Sequence, residues 1–122
     1  MNAAEILEVM DAKIAMGRRD HNVGLSFFAR YGRENFANMF AHMDIWPEPA
    51  AMNVRHSEIH VVWRSVYGKV EVDTNDDGFL EYDVLRTMCD RDREAGTVQV
   101  ANREQVEQIF SWLSEKPLDI VP

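Results

Sequence analysis

Residues 70–88 read VEVDTNDDGFLEYDVLRTM, and two backbones compete for them. In one, VEV is a strand, NDDG a turn, and FLEYDVL a second strand coming back. Asp-Gly between alternating apolar residues is a strong hairpin signal, because glycine accepts the backbone angles a tight reversal needs. In the other, the polar run is a loop and a helix follows it, with Leu80, Val84, Leu85 and Met88 on one stripe. The hairpin leads to an α+β domain, the loop and helix to a mostly α chain.

The second backbone resembles a single EF-hand calcium loop with its exiting helix. Asp73, Asn75 and Asp77 fall at the first, third and fifth loop positions, Gly78 at the sixth and Leu80 at the eighth. Calcium takes several hard oxygen ligands around a tight turn, and Glu81 and Asp83 are further carboxylates in the same stretch. The ligand set this implies is Asp73, Asn75, Asp77 and Glu81, with calcium as the ion. The twelfth position, where such a loop carries a bidentate glutamate, is Val84. YGKVEV precedes the loop where an entering helix would end.

Working outward, residues 55–67 read RHSEIHVVWRSVY. At period two, Ile59, Val61, Trp63 and Tyr67 share one face and His56, Glu58, His60 and Arg64 the other. At period 3.6, Ile59, Val62, Trp63, Val66 and Val70 also form a stripe, so periodicity leaves residues 57–72 open between helix and strand. Composition favours strand, because β-branched and aromatic residues dominate from Ile59 to Tyr67 and suit a pleated surface. KVEV and TVQV have the same character. On a strand, His56, Glu58 and His60 point the same way, and two imidazoles with a carboxylate can hold a transition metal. The competing reading is a solvated polar face continued by Arg64.

The flanks are helical. Ile6, Leu7, Met10 and Ile14 recur at helical spacing after Asn2, with Glu5 at the capping-box position, and Gly17-Arg18-Arg19-Asp20 is the expected end. A second helical block covers roughly 23–43, with a break expected near Gly32 and a stripe of Phe36, Met39, Phe40 and Met43. Pro47 and Pro49 interrupt it. Near the C-terminus, Asn102 caps a helix whose stripe is Val106, Ile109, Phe110 and Leu113, again with Gln105 at the capping-box position. The expected layout is one domain over 1–122. It has a helical part at 1–43, a Pro-containing connection at 44–53, mostly strands at 54–101, a helix at 102–114 and a tail at 115–122.

Composition removes several functions. With 122 residues, 46% hydrophobic and 28% charged, the chain suits one globular core. Thirteen basic against twenty-one acidic residues give a net charge of −8, which repels phosphate backbones and anionic lipids and argues against nucleic-acid and membrane partners. One cysteine, Cys89, forms no internal disulfide and no thiolate zinc site, which fits a reducing cytoplasm. The N-terminal stretch lacks the pattern of a secretory signal, and no apolar run reaches the length of a membrane span.

AEILEVMDAKIAMGRRDHNVGLSFFARYGRENFANMF carries a further resemblance. The order Asp20, Phe27-Phe28, Gly32-Arg33-Glu34 resembles the opening of SnoaL-like domains in the nuclear-transport-factor-like superfamily, and DDGFLEYDVLRTMCD is similar to a late strand of that family. The resemblance implies N-terminal helices, a small curved, mostly antiparallel sheet enclosing a pocket, and a homodimer built through the sheet. The C-terminal helix would be an addition. It further implies a small-molecule ligand and, in some members, cofactor-free cyclase, isomerase or hydrolase chemistry; no catalytic residue carries over. Trp63, Tyr67 and Tyr82 are the aromatics that alternation would aim from a sheet into a pocket. A calcium-binding protein and a non-enzymatic interaction module acting through an acidic surface stand as alternatives.

Overall fold

The computed structural model describes residues 1–21, 27–55, 58–75, 77–87 and 89–114, with backbone alone for 17–21, 27–30 and 89–91. Two helices come first, α1 (Ala3–His21) and α2 (Phe27–Phe40). Five strands follow: β1 (Ala51–Val54), β2 (Ile59–Arg64), β3 (Gly68–Thr74), β4 (Phe79–Arg86) and β5 (Cys89–Gln99). Helix α3 (Arg103–Phe110) and a 3₁₀ turn (Ser111–Leu113) close the described chain. The strands form one antiparallel sheet in sequence order, so the fold is α+β, and the described residues from Val70 to Arg86 take the hairpin backbone. Gly78 sits at φ 83° in that turn, and Leu80, Val84 and Leu85, which would line an exiting helix, lie on β4 instead; Met88 lies outside the described residues.

Local signals account for the helix starts. Glu5 N–H donates to Asn2 Oδ1 at 2.8 Å and Asn2 N–H to Glu5 Oε1 at 3.1 Å, a reciprocal capping box. Asn102 likewise takes the Gln105 N–H at 3.1 Å. Helix α1 does not stop at Gly17 but continues to His21; one interior glycine costs a helix about 1 kcal/mol, too little to end it. Helix α2 runs through Gly32 unbroken. The reason for that glycine is packing: a Cβ there would lie 2.2 Å from Thr74 Cγ2 at the end of β3. Three residues on, Asn35 holds the turn after β3, accepting from Gly78 N–H at 3.0 Å and donating to Phe79 O at 3.2 Å. Strand β1 begins at Ala51, inside the segment expected to be a connection.

The helices cover one face of the sheet. Ile59, Val61 and Trp63, Val70 and Val72, and Leu80 and Val84 are fully buried there against Ile6, Met10, Phe36, Met39 and Phe40. Trp46, in the Pro-containing connection, is fully buried as well, its Nε1 donating to Phe40 O at 2.9 Å. Four rings fill the space between the layers edge to face: Trp46 and Trp63 each lie 4.8 Å from Phe110, and Phe40 lies 5.0 Å from Trp46 and 6.2 Å from Trp63. At the far end, buried Arg86 donates to Trp112 O and Ser114 O at 3.1 and 2.7 Å and stacks over the Trp112 ring, anchoring the 3₁₀ turn. The opposite sheet face carries His60, Glu71, Asp73, Glu81 and Asp83. No helix among the described residues is long and apolar enough to cross a membrane.

Candidate functional site

Strand pairing builds the site. Ser65 N–H donates to Gly68 O at 2.9 Å, closing the two-residue turn Val66-Tyr67. Counting back from that bonded couple, 63↔70 and 61↔72 exchange backbone bonds, whereas His60↔Asp73 does not. Side chains at such non-bonded positions stand closest together. His60 and Asp73 exploit this: Nδ1–H of His60 donates to Asp73 Oδ1 at 2.5 Å. Glu71, two residues along the same face, has Oε1 3.8 Å from His60 Nε2 and 3.6 Å from Lys69 Nζ. The imidazole therefore stands between two carboxylates, oriented by one and beyond hydrogen-bond reach of the other.

On β1, Asn53 lies directly opposite His60. Arg55 and Glu58 close the β1–β2 hairpin, with Arg55 N–H donating to Glu58 O at 2.8 Å. Asn53, Arg55, Glu58, His60 and Asp73 together line a concavity of about 250 Å³ on the uncovered face. Its chemistry is mixed, with an amide on β1, a guanidinium and a carboxylate in the β1–β2 hairpin, and an imidazole and a carboxylate on β2 and β3. Side-chain exposure of 29% at His60 and 39% at Asp73 leaves both open to a ligand and half shielded from water.

The sequence candidates fall in different places. Glu58 and His60, picked as metal ligands, meet Asp73, picked as a calcium ligand, in this concavity. His56 lies outside the described residues. Glu81 is opposite Asp73 across β3 and β4, and Asn75 and Asp77 lie in the turn beyond. Among the described residues no three His, Cys, Asp or Glu side chains converge as a metal ion would require. The three aromatics are not brought together. Trp63 is in the core with its Nε1 donating to Pro47 O at 3.0 Å, and Tyr67 is exposed at a hairpin tip. Tyr82 is half-buried and donates to Glu94 at 3.0 Å; burial, and then that bond, push its hydroxyl pKa up, so it stays a donor.

Asn53 was missed because Pro47 and Pro49 placed it in the expected connection at 44–53, and Arg55, inside the strand-like run that follows, was not singled out. The signal was present in MNVR, where Met52 and Val54 alternate with Asn53 and Arg55. A second depression, of about 230 Å³, lies between α1 and β1 and is mostly apolar, floored by Ile6 and Met52 and rimmed by Lys13 and Glu48. No protein-family model matches the chain, and no curated protein or solved structure is significantly similar to it.

Proposed function

We propose that the chain is a small-molecule-binding domain whose ligand sits in the polar concavity between β1, β2 and β3. The observation that carries this is the His60–Asp73 pair at 2.5 Å within a concavity that also holds Asn53, Arg55 and Glu58. A ligand pocket needs a few convergent polar groups held in fixed orientation, and here a carboxylate fixes the imidazole while the strand register fixes both. The ligand is small and polar, with hydrogen-bonding groups that meet Arg55 and Asn53 on one side and Asp73 and Glu58 on the other. Binding is the proposed activity, without a resident cofactor. The homodimer implied by the family resemblance belongs to this proposal.

A thermal-unfolding screen against small polar metabolites, run on the wild type and on Asp73→Asn, tests it. A ligand at a hundred times its Kd adds about 2.7 kcal/mol of stability, several degrees for a domain of this size. The wild type is expected to show such a shift for one chemical class and Asp73→Asn to lose most of it. A shift of equal size in both proteins would move the site elsewhere.

A further inference from the structure

Strand β5 is the long edge of the sheet, pairing with β4 alone. Val100 N–H donates to Gly78 O at 3.0 Å, which sets the phase of its backbone. From that couple, residues 98, 96 and 94 turn their N–H and C=O groups toward β4, and 99, 97, 95 and 93 turn theirs outward. The side chain of Gln105 agrees: its Nε2 donates to Thr97 O at 3.1 Å and its Oε1 accepts from Gln99 N–H at 3.3 Å. That amide stands where the next strand's peptide group would stand, capping the edge at 97–99. The outward groups of Arg93 and Ala95 lie beyond the cap, on a stretch 93–97 exposed at every residue and small at Ala95, Gly96 and Thr97.

We propose that this edge pairs antiparallel with the same edge of a second copy, Ala95 opposite Ala95, joining the two sheets into one. This proposal names the edge through which the homodimer of the proposed function forms, and its test is separate from the ligand screen, because it uses the other edge of the sheet. A two-fold axis perpendicular to a sheet pairs residues of the same face, so the register can only step along the strand symmetrically. Centring on Glu94 sets two carboxylates against each other. Centring on Arg93 sets Arg93 against itself and Asp92 against Glu94. Centring on Gly96 brings Gln99, whose N–H Gln105 already holds, opposite Arg93 and so into the exposed stretch. Centring on Ala95 lets pairing run over 93–97 alone and stop short of Gln99. With Ala95 at the centre, Arg93 faces Thr97 and Glu94 faces Gly96, and no like charges stand opposite. Outward groups at 93, 95 and 97 then find partners, Thr97 O having a second lone pair beside the one Gln105 uses.

Sedimentation velocity from micromolar to near-millimolar protein, on the wild type and on Ala95→Pro, tests this. Proline is tolerated at an edge position whose N–H points outward, so the bonds to β4 survive while the incoming strand loses its central partner. The wild type is expected to pass from monomer to dimer, and Ala95→Pro to remain monomeric with an unchanged far-UV spectrum and dilute thermal midpoint. A wild type monomeric throughout, or an Ala95→Pro that dimerises equally well, would overturn the proposal. Should the variant fail to fold, amide exchange on the wild type decides. The Ala95 N–H should exchange at least about tenfold more slowly in concentrated than in dilute protein, and exchange independent of concentration would refute the pairing.

Discussion

Both ends of the Asn35 amide are committed to one turn, on Gly78 N–H and Phe79 O, and the side chain is 1% exposed. Asn35→Ala leaves those backbone groups without their partner, which should lower unfolding stability by about 2 kcal/mol, seen as a shift of the urea midpoint at constant slope. Gly32 acts a turn earlier on the same hairpin. Gly32→Ala drives a methyl into Thr74 Cγ2 and should cost about 1–3 kcal/mol by overpacking. Adding Thr74→Ser, which deletes that methyl, should recover most of the loss; no recovery would mean that helix geometry, not contact, sets the requirement. The sequence marks Gly32-Arg33-Glu34 as a motif. It does not disclose the purpose of the glycine, because Thr74 lies far along the chain.

At the scale of elements, residues 70–88 were legible. Alternation on both sides of NDDG and the surplus of β-branched residues favoured the hairpin, and Val84 in place of a glutamate weighed against the calcium loop. The capping boxes at Asn2 and Asn102 were legible too, since both are local. Asn102→Ala should cost about 1 kcal/mol, measurable by thermal unfolding. What local reading lacked was the continuation of α1 past Gly17 and the start of β1 at Ala51. A single glycine costs a helix too little to end it at residue 17, and burial of Met52 against the core makes Ala51–Val54 a strand.

Pairing of β4 with β5 also sets a pH dependence. Hydrogen bonds from the Arg93 guanidinium, at 3.1 and 2.6 Å, hold the Asp83 carboxyl below its ordinary range. The folded protein thus binds this proton less readily than the unfolded chain. The pair stabilises fully above about pH 4, the unfolded carboxyl's pKa, and the contribution is lost as pH falls through the lowered value. Both side chains face water, so solvent screening keeps the effect small. Asp83→Asn should be less stable than the wild type near neutrality, with the gap narrowing in acid; a gap that widens in acid would reverse the assignment.

For the whole molecule, the sheet divides the labour. Its covered face is packed by the rings of Trp46, Trp63, Phe40 and Phe110, and its uncovered face carries the charged side chains. Glu58 and His60 were legible as a candidate metal pair and Asp73 as a candidate calcium ligand, but the sequence did not disclose that Asp73 and His60 are neighbours. Their meeting depends on a register fixed by the Val66-Tyr67 turn, and one residue of slip would send His60 into the core. Millimolar calcium against chelator should leave the thermal midpoint unchanged, since strands flank the NDDG turn and Asn35 ties down its Gly78 amide. A rise of several degrees, absent with magnesium, would establish an ion site there instead.

The most direct measurement is an amide-resolved NMR titration of the wild type with the compounds that pass the thermal screen. Perturbations should cluster at Asn53, Arg55, Glu58, His60 and Asp73 and saturate together. Saturable perturbations confined to Ile6, Val9 and Met52 would place the ligand in the depression between α1 and β1 and contradict the polar concavity as the site. A screen and titration without any saturable response would contradict small-molecule binding itself.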